Sequence, residues 1–87
     1  MIEVKRKNQS EFVVEVQEKS SKTEHLVTLD DDYYQLLTQG KSTKEDLIKR
    51  TFQFLLRREP KESILSTFNL KTVKQYFPEF EKEITKV

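Results

Sequence analysis

At 87 residues the chain has room for one hydrophobic core and not two. Its hydrophobic share of 34% against 36% charged would border on disorder, but six Phe and three Tyr supply large buried areas around a thin core. The absence of cysteine excludes disulfides, thiolate nucleophiles and zinc ribbons, and a net charge of +1 selects no partner.

Residues 2–29 carry a strand period. Ile2 and Val4 alternate with Glu3 and Lys5, and after the polar break Asn8-Gln9-Ser10, Phe12, Val14 and Val16 alternate with Val13, Glu15 and Gln17. A second break at Lys19-Ser20-Ser21-Lys22 precedes the β-branched run Thr23 to Leu29. Period two with short polar breaks predicts an antiparallel meander of two to three strands. Its apolar face carries Phe12, Val14, Val16, Val27 and Leu29. His25 is in phase with them and is expected to be a packed strand residue.

At Asp30 the period changes. Asp30-Asp31-Asp32 supplies an N-cap and first-turn acids for a short helix over Tyr33–Leu37, which ends at Gly40, the single glycine. Ser42 or Thr43 caps the next helix, with Glu45 or Asp46 placed for a capping box, and Pro60 stops it after Glu59. Around this helix Leu47, Ile48, Phe52, Phe54, Leu55 and Leu56 spread over roughly 200°. A helix resting on one sheet needs an apolar stripe about half that wide, so this one is expected to be contacted from two sides. Pro60 is read as the first residue of a third helix to about Phe68. Asn69 caps a fourth over Leu70–Phe77, and Pro78 separates it from a last turn and a frayed end.

The predicted fold class is therefore α+β within a single domain, residues 1–87. A small N-terminal antiparallel β-meander (residues 1–29) is followed by about four short-to-medium helices packed on one sheet face (residues 30–87). Met1 to Arg6 lacks the apolar region of a signal peptide, and no apolar run approaches the ~20 residues that span a bilayer. With no cysteine to staple so small a domain, a cytoplasmic protein is expected.

Each apparent catalytic or ligand motif fails at a named position. Gly40-Lys41-Ser42 echoes the end of a phosphate-binding loop, but Gln35 stands where the upstream glycine is required, inside a helix. Asp30-Asp31-Asp32 resembles the opening of a calcium loop. Gln35 and Lys41 occupy the places of its central glycine and closing glutamate. His25 is the single histidine and has no nucleophile to serve, and Glu81 and Glu83 lie in a charged tail. The expectation is a protein that is not an enzyme, with no catalytic residue, cofactor or metal.

The candidate partner surface consists of Arg57 and Arg58 at the end of the long helix and of Tyr76, Phe77 and Phe80. Arg58 projects into the apolar arc of its helix, so it snorkels, pairs with a carboxylate, or faces a partner. Aromatic and Arg side chains carry much of the energy of protein interfaces. The expected function is a small non-enzymatic binding or interaction protein, its partner another protein or a second copy of the chain. No membrane and no small-molecule substrate are implied.

An alternative partner is nucleic acid. Between Lys41 and Lys61 stand Lys41, Lys44, Lys49, Arg50, Arg57, Arg58 and Lys61 against Glu45, Asp46 and Glu59. A strand followed by two helices joined through Gly40-Lys41-Ser42 resembles the ribbon–helix–helix repressors and antitoxins, whose strand pairs across a dimer and enters the major groove. The first helix is shorter than in that family, and further strands precede the candidate reading strand.

A second resemblance runs along nearly the whole chain. The stretches His25-x-Val27-Thr28-Leu29, Phe54-Leu55-Leu56-Arg57-Arg58-Glu59-Pro60-Lys61-Glu62-Ser63-Ile64-Leu65 and Tyr76-Phe77-Pro78-Glu79-Phe80-Glu81 look like a family of short, uncharacterised bacterial proteins. The central stretch is the most specific. The resemblance implies a small cytoplasmic bacterial protein and brings no assigned activity with it.

Overall fold

Alternating apolar and polar residues produce three antiparallel strands in the computed structural model, which describes residues 1–85: β1 (Ile2–Arg6), β2 (Glu11–Glu18) and β3 (Ser21–Thr28). Asn8 shapes the first turn, its Oδ1 accepting from the amides of Ser10 at 3.0 Å and Glu11 at 2.9 Å. The two-residue turn Lys19-Ser20 closes the second hairpin, with Lys19 in the left-handed region at φ 56°. The register sets Phe12 opposite Val27, and Val14 opposite His25. Phe12, Val14, Val16 and Val27 therefore share one fully buried face, as their spacing predicts. On the other face Glu3, Glu15 and Glu24 stand side by side across three strands, offset by ion pairs from Lys5 to Glu3 and from Lys22 to Glu15.

Two helices follow. The first, α1 (Asp31–Thr38), ends through two left-handed residues, Gln39 at φ 54° and Gly40 at φ 76°. Glycine at the second position relieves the steric cost of that geometry. The second, α2 (Lys44–Leu56), is capped by Thr43, whose Oγ1 accepts from the Asp46 amide at 3.0 Å. The cap is one-sided, because the Asp46 carboxylate accepts from Arg50 Nε on the next turn. The helix stops at Leu56, short of the expected Glu59. There the Leu55 carbonyl takes the amides of both Arg58 and Glu59, and Pro60 restricts the residue before it. The wide apolar arc does meet two layers. Leu47, Ile48, Phe52, Phe54 and Leu55 are buried between the sheet and the C-terminal elements.

Residues 61–69 depart from the sequence reading. Instead of a helix, Lys61–Ser63 makes one 3-10 turn, Ile64–Ser66 has no regular structure, and Thr67–Asn69 forms a fourth strand, β4, parallel to β3. The sheet is mixed, in the order β1-β2-β3-β4, and has four strands where two to three were expected. A short apolar run such as Ile64-Leu65 with Phe68 does not separate helix from strand by periodicity. Here the open edge of β3 decides, its Leu26 amide donating to the Ser66 carbonyl at 2.8 Å.

Asn69 then caps as expected, its Oδ1 accepting from the Lys71 amide at 2.9 Å. The segment behind it divides into a 3-10 turn, Leu70–Thr72, and a single α turn, α3 (Val73–Tyr76). After Pro78, α4 (Phe80–Ile84) returns to α2, where Arg50 Nη1 donates to the Ile84 carbonyl at 3.0 Å. The α+β class is as predicted. The expected fraying falls largely on residues 86–87, outside the described residues.

Candidate functional site

Three segments of the chain meet near the end of α2, and the gap between them is an open groove of about 380 Å³. Leu55 and Glu59 form one wall. Ser63, Ile64, Leu65 and Phe68 form the second, and Thr72, Val73, Tyr76 and Phe77 of the α3 region form the third. Volumes of this order match small-ligand and side-chain pockets, and the lining is mainly apolar. Leu65 and Tyr76 both line it, with exposures of 50% and 67%. They are half of the large hydrophobic residues exposed among the described residues, the others being Met1 and Leu36. Two such residues on one groove make a continuous apolar patch.

A buried histidine holds the second wall in place. His25 is 2% exposed and packs on Phe52, with ring centroids 5.3 Å apart. Its Nδ1 lies 2.8 Å from the Leu65 carbonyl oxygen, which only accepts, so Nδ1 carries the hydrogen and donates. Its Nε2 meets the Thr23 hydroxyl at 2.9 Å. With the Leu65 carbonyl drawn inward, the Leu65 side chain is left outside. Both ring nitrogens are engaged within the fold, and neither is directed at an open site.

The sequence-predicted surface residues separate into three groups. Phe80 is fully buried and meets Phe54 edge to face at 5.2 Å. Phe77 is half-buried, 5.9 Å from Phe54, and lines the groove; Tyr76 is its exposed lip. Arg57 points to solvent outside the groove. Arg58 lies over the Phe54 ring at 3.6 Å and bridges α2 to α4, with Nε 3.1 Å from Glu79 and Nη2 2.7 Å from Glu83. Its third contact is Nη1 to the Phe54 carbonyl at 3.1 Å. Of the five, Tyr76 and Phe77 share the groove. The second wall is not visible in the sequence, where the spacing of Ile64, Leu65 and Phe68 suits a helix. Thr67-Phe68-Asn69, a β-branched and aromatic pair closed by a turn residue, was the available strand signal.

The Arg58 bridge carries a pH dependence. A hydrogen bond from its own backbone amide, and then the Arg58 guanidinium, hold the Glu79 carboxyl below its ordinary range. Lys61 does the same for Glu62, which in turn raises the Lys61 ammonium. A carboxylate depressed in the folded state favours folding above its unfolded pKa and loses that contribution as pH falls through the folded value. Urea midpoints are therefore expected to fall on acidification from pH 7 to pH 3, and less steeply in Glu79→Gln. An identical slope in that variant would remove Glu79 from the account. Tyr33, buried and donating to Glu81 at 2.8 Å, has its phenol pushed upward, first by burial and then by that carboxylate.

The basic segment is largely internal. Lys44 is buried, bound to the Gln9 carbonyl at 2.9 Å and to Asp31. Arg50 and Arg58 are bonded as described, and Lys61 pairs with Glu62 at 2.8 Å and Glu18 at 3.7 Å. That leaves Lys41, Lys49 and Arg57 exposed. The strand that a ribbon–helix–helix reading needs for dimerisation, β3, is paired with β2 along its whole length on one edge and with β4 over Leu26–Thr28 on the other. Of the three aspartates at the start of α1, Asp30 receives Asn69 Nδ2 at 3.3 Å and Asp31 holds Lys44. Among the described residues no cluster of three or more His, Cys, Asp or Glu side chains has metal-binding geometry, and no helix is long and apolar enough to cross a membrane. No family model matches the chain, and no match was found among curated proteins or solved structures.

Proposed function

We propose that this chain is a small non-enzymatic interaction module that receives a segment of a protein partner in the groove between α2, the 63–68 segment and α3. The observation that carries this reading is the pair of exposed hydrophobic lips, Leu65 and Tyr76, on a mainly apolar groove whose walls include the buried Leu55, Ile64, Phe68 and Val73. With half of Leu65 and two thirds of Tyr76 left in water, each forgoes only part of the burial worth about 1.5–3 kcal/mol for a whole apolar side chain. A partner recovers it. Two of the three stretches that carry the resemblance to the short bacterial proteins, Phe54–Leu65 and Tyr76–Glu81, supply most of the groove's walls, and the third contains His25. Membership in that family and a cytoplasmic setting, suited to a chain without cysteine, belong to the same proposal.

A comparison of wild type with Leu65→Asp tests it. Leu65 is half-exposed and its backbone contact to His25 is retained, so the variant is expected to fold and to keep its circular dichroism spectrum. Immobilised wild-type protein is expected to capture a specific partner from a lysate of the source cells, and Leu65→Asp to lose that partner by tenfold or more. An unchanged set of captured proteins in the folded variant would exclude the groove as the binding surface.

A further inference from the structure

The groove has one charged wall residue, Glu59, and it is half-buried. Among the described residues Glu59 takes part in no ion pair. Arg58 pairs with Glu79 and Glu83, Lys61 with Glu18 and Glu62, and Lys74 with Glu81, while Arg57 is exposed outside the groove. A carboxylate held against an apolar groove without a counter-charge favours a ligand that brings one.

The second observation is the edge of the sheet. β4 is an outer strand, and Phe68, its central residue, lines the groove. The Ser66 carbonyl is turned inward to Leu26. Alternation along the ladder then turns the amide and carbonyl of exposed Thr67 away from the sheet. Free edge groups beside a side-chain pocket are the two elements of strand-addition recognition, one supplying main-chain bonds and the other selectivity.

Resting on the proposed role of the groove, we infer that its occupant is an extended peptide segment in which a bulky apolar side chain stands two residues from a lysine or arginine. The segment adds to the β4 edge through Thr67. Residues two apart in a strand point to the same face, so the apolar side chain enters the groove while the basic one meets Glu59 on its wall.

Fluorescence anisotropy on the full chain tests this with two labelled heptapeptides, acetyl-Thr-Lys-Thr-Phe-Thr-Lys-Thr and its counterpart with glutamate at both lysine positions. The basic probe is expected to bind about tenfold more tightly, the scale of one charge-assisted contact, with the difference shrinking as salt rises. Glu59→Gln is expected to abolish the difference without unfolding the protein. N-methylation of one alternate set of probe amides is expected to abolish binding, and of the other set to leave it. Equal binding of both probes, lost in Leu65→Asp, would overturn the charge selectivity while the groove remains the site. Two N-methylated sets that bind alike would overturn the strand addition. If neither probe binds at millimolar concentration the inference falls, and the lysate comparison judges the groove reading separately.

Discussion

Phe54→Ala is expected to destabilise the protein by about 3–5 kcal/mol, the range for truncating a buried aromatic ring, measured as the shift in free energy from urea unfolding. Phe54 is the common neighbour of Phe77, Phe80 and the Arg58 guanidinium, so its removal opens a cavity between α2 and the C-terminal turns. It also takes from Arg58 the aromatic face on which the guanidinium lies, beside two half-exposed carboxylates. Domains of this kind have only about 5–15 kcal/mol in total, so the variant stands near its unfolding limit. Phe54→Leu, which keeps most of the volume, is expected to lose less than half as much. A loss below 1 kcal/mol in the alanine variant would show that the C-terminal turns are not held by this ring.

His25→Ala is expected to cost about 3 kcal/mol, combining the packing lost against Phe52 with a part-buried Leu65 carbonyl left without its partner. His25→Leu separates the two contributions, since it restores apolar contact but not the hydrogen bond. The effect is also expected to be local. Amide exchange at Leu26, whose hydrogen is held by the Ser66 carbonyl, should quicken more than exchange within the β1–β2 ladder. Uniform acceleration along the sheet would mean that the histidine supports the whole fold and not the groove wall in particular.

The N-terminal half was legible because its information is local. Period two placed Phe12, Val14, Val16, Val27 and Leu29 on one face, and all five are fully buried. The Thr43 and Asn69 caps and the two-sided character of α2 follow from residue chemistry within a turn or two. Residues 61–69 were not legible, because their conformation is set by a partner strand and by a histidine 40 positions away in the sequence. Ile64, Leu65 and Phe68 satisfy a helical spacing equally well, and nothing nearby in the chain announces that β3 has a free edge. Arg58 shows the intermediate case. Its place on an apolar arc signalled an unusual environment, while the choice among snorkelling, pairing and partner contact depended on where α4 returns Glu79 and Glu83. The aromatic run from Tyr76 to Phe80 read as one cluster, but Pro78 turns the chain so that Phe80 enters the core and Tyr76 leaves it.

The parallel pairing of β4 with β3 is also expected to order the assembly of the molecule in time. The first three strands zip through tight turns, whereas β4 reaches its neighbour only after both intervening helices have bridged the gap between them. Closing so long a loop carries an entropic cost that the short hairpins escape, and distant pairings of this type slow folding. The β4 wall of the groove is thus expected to be laid down last, onto a sheet already built, so that local opening can begin there without dismantling the meander. An occupant that spans the β4 edge and the groove would fasten the late-forming segment to the early one, so that recognition and the final step of folding draw on the same contacts.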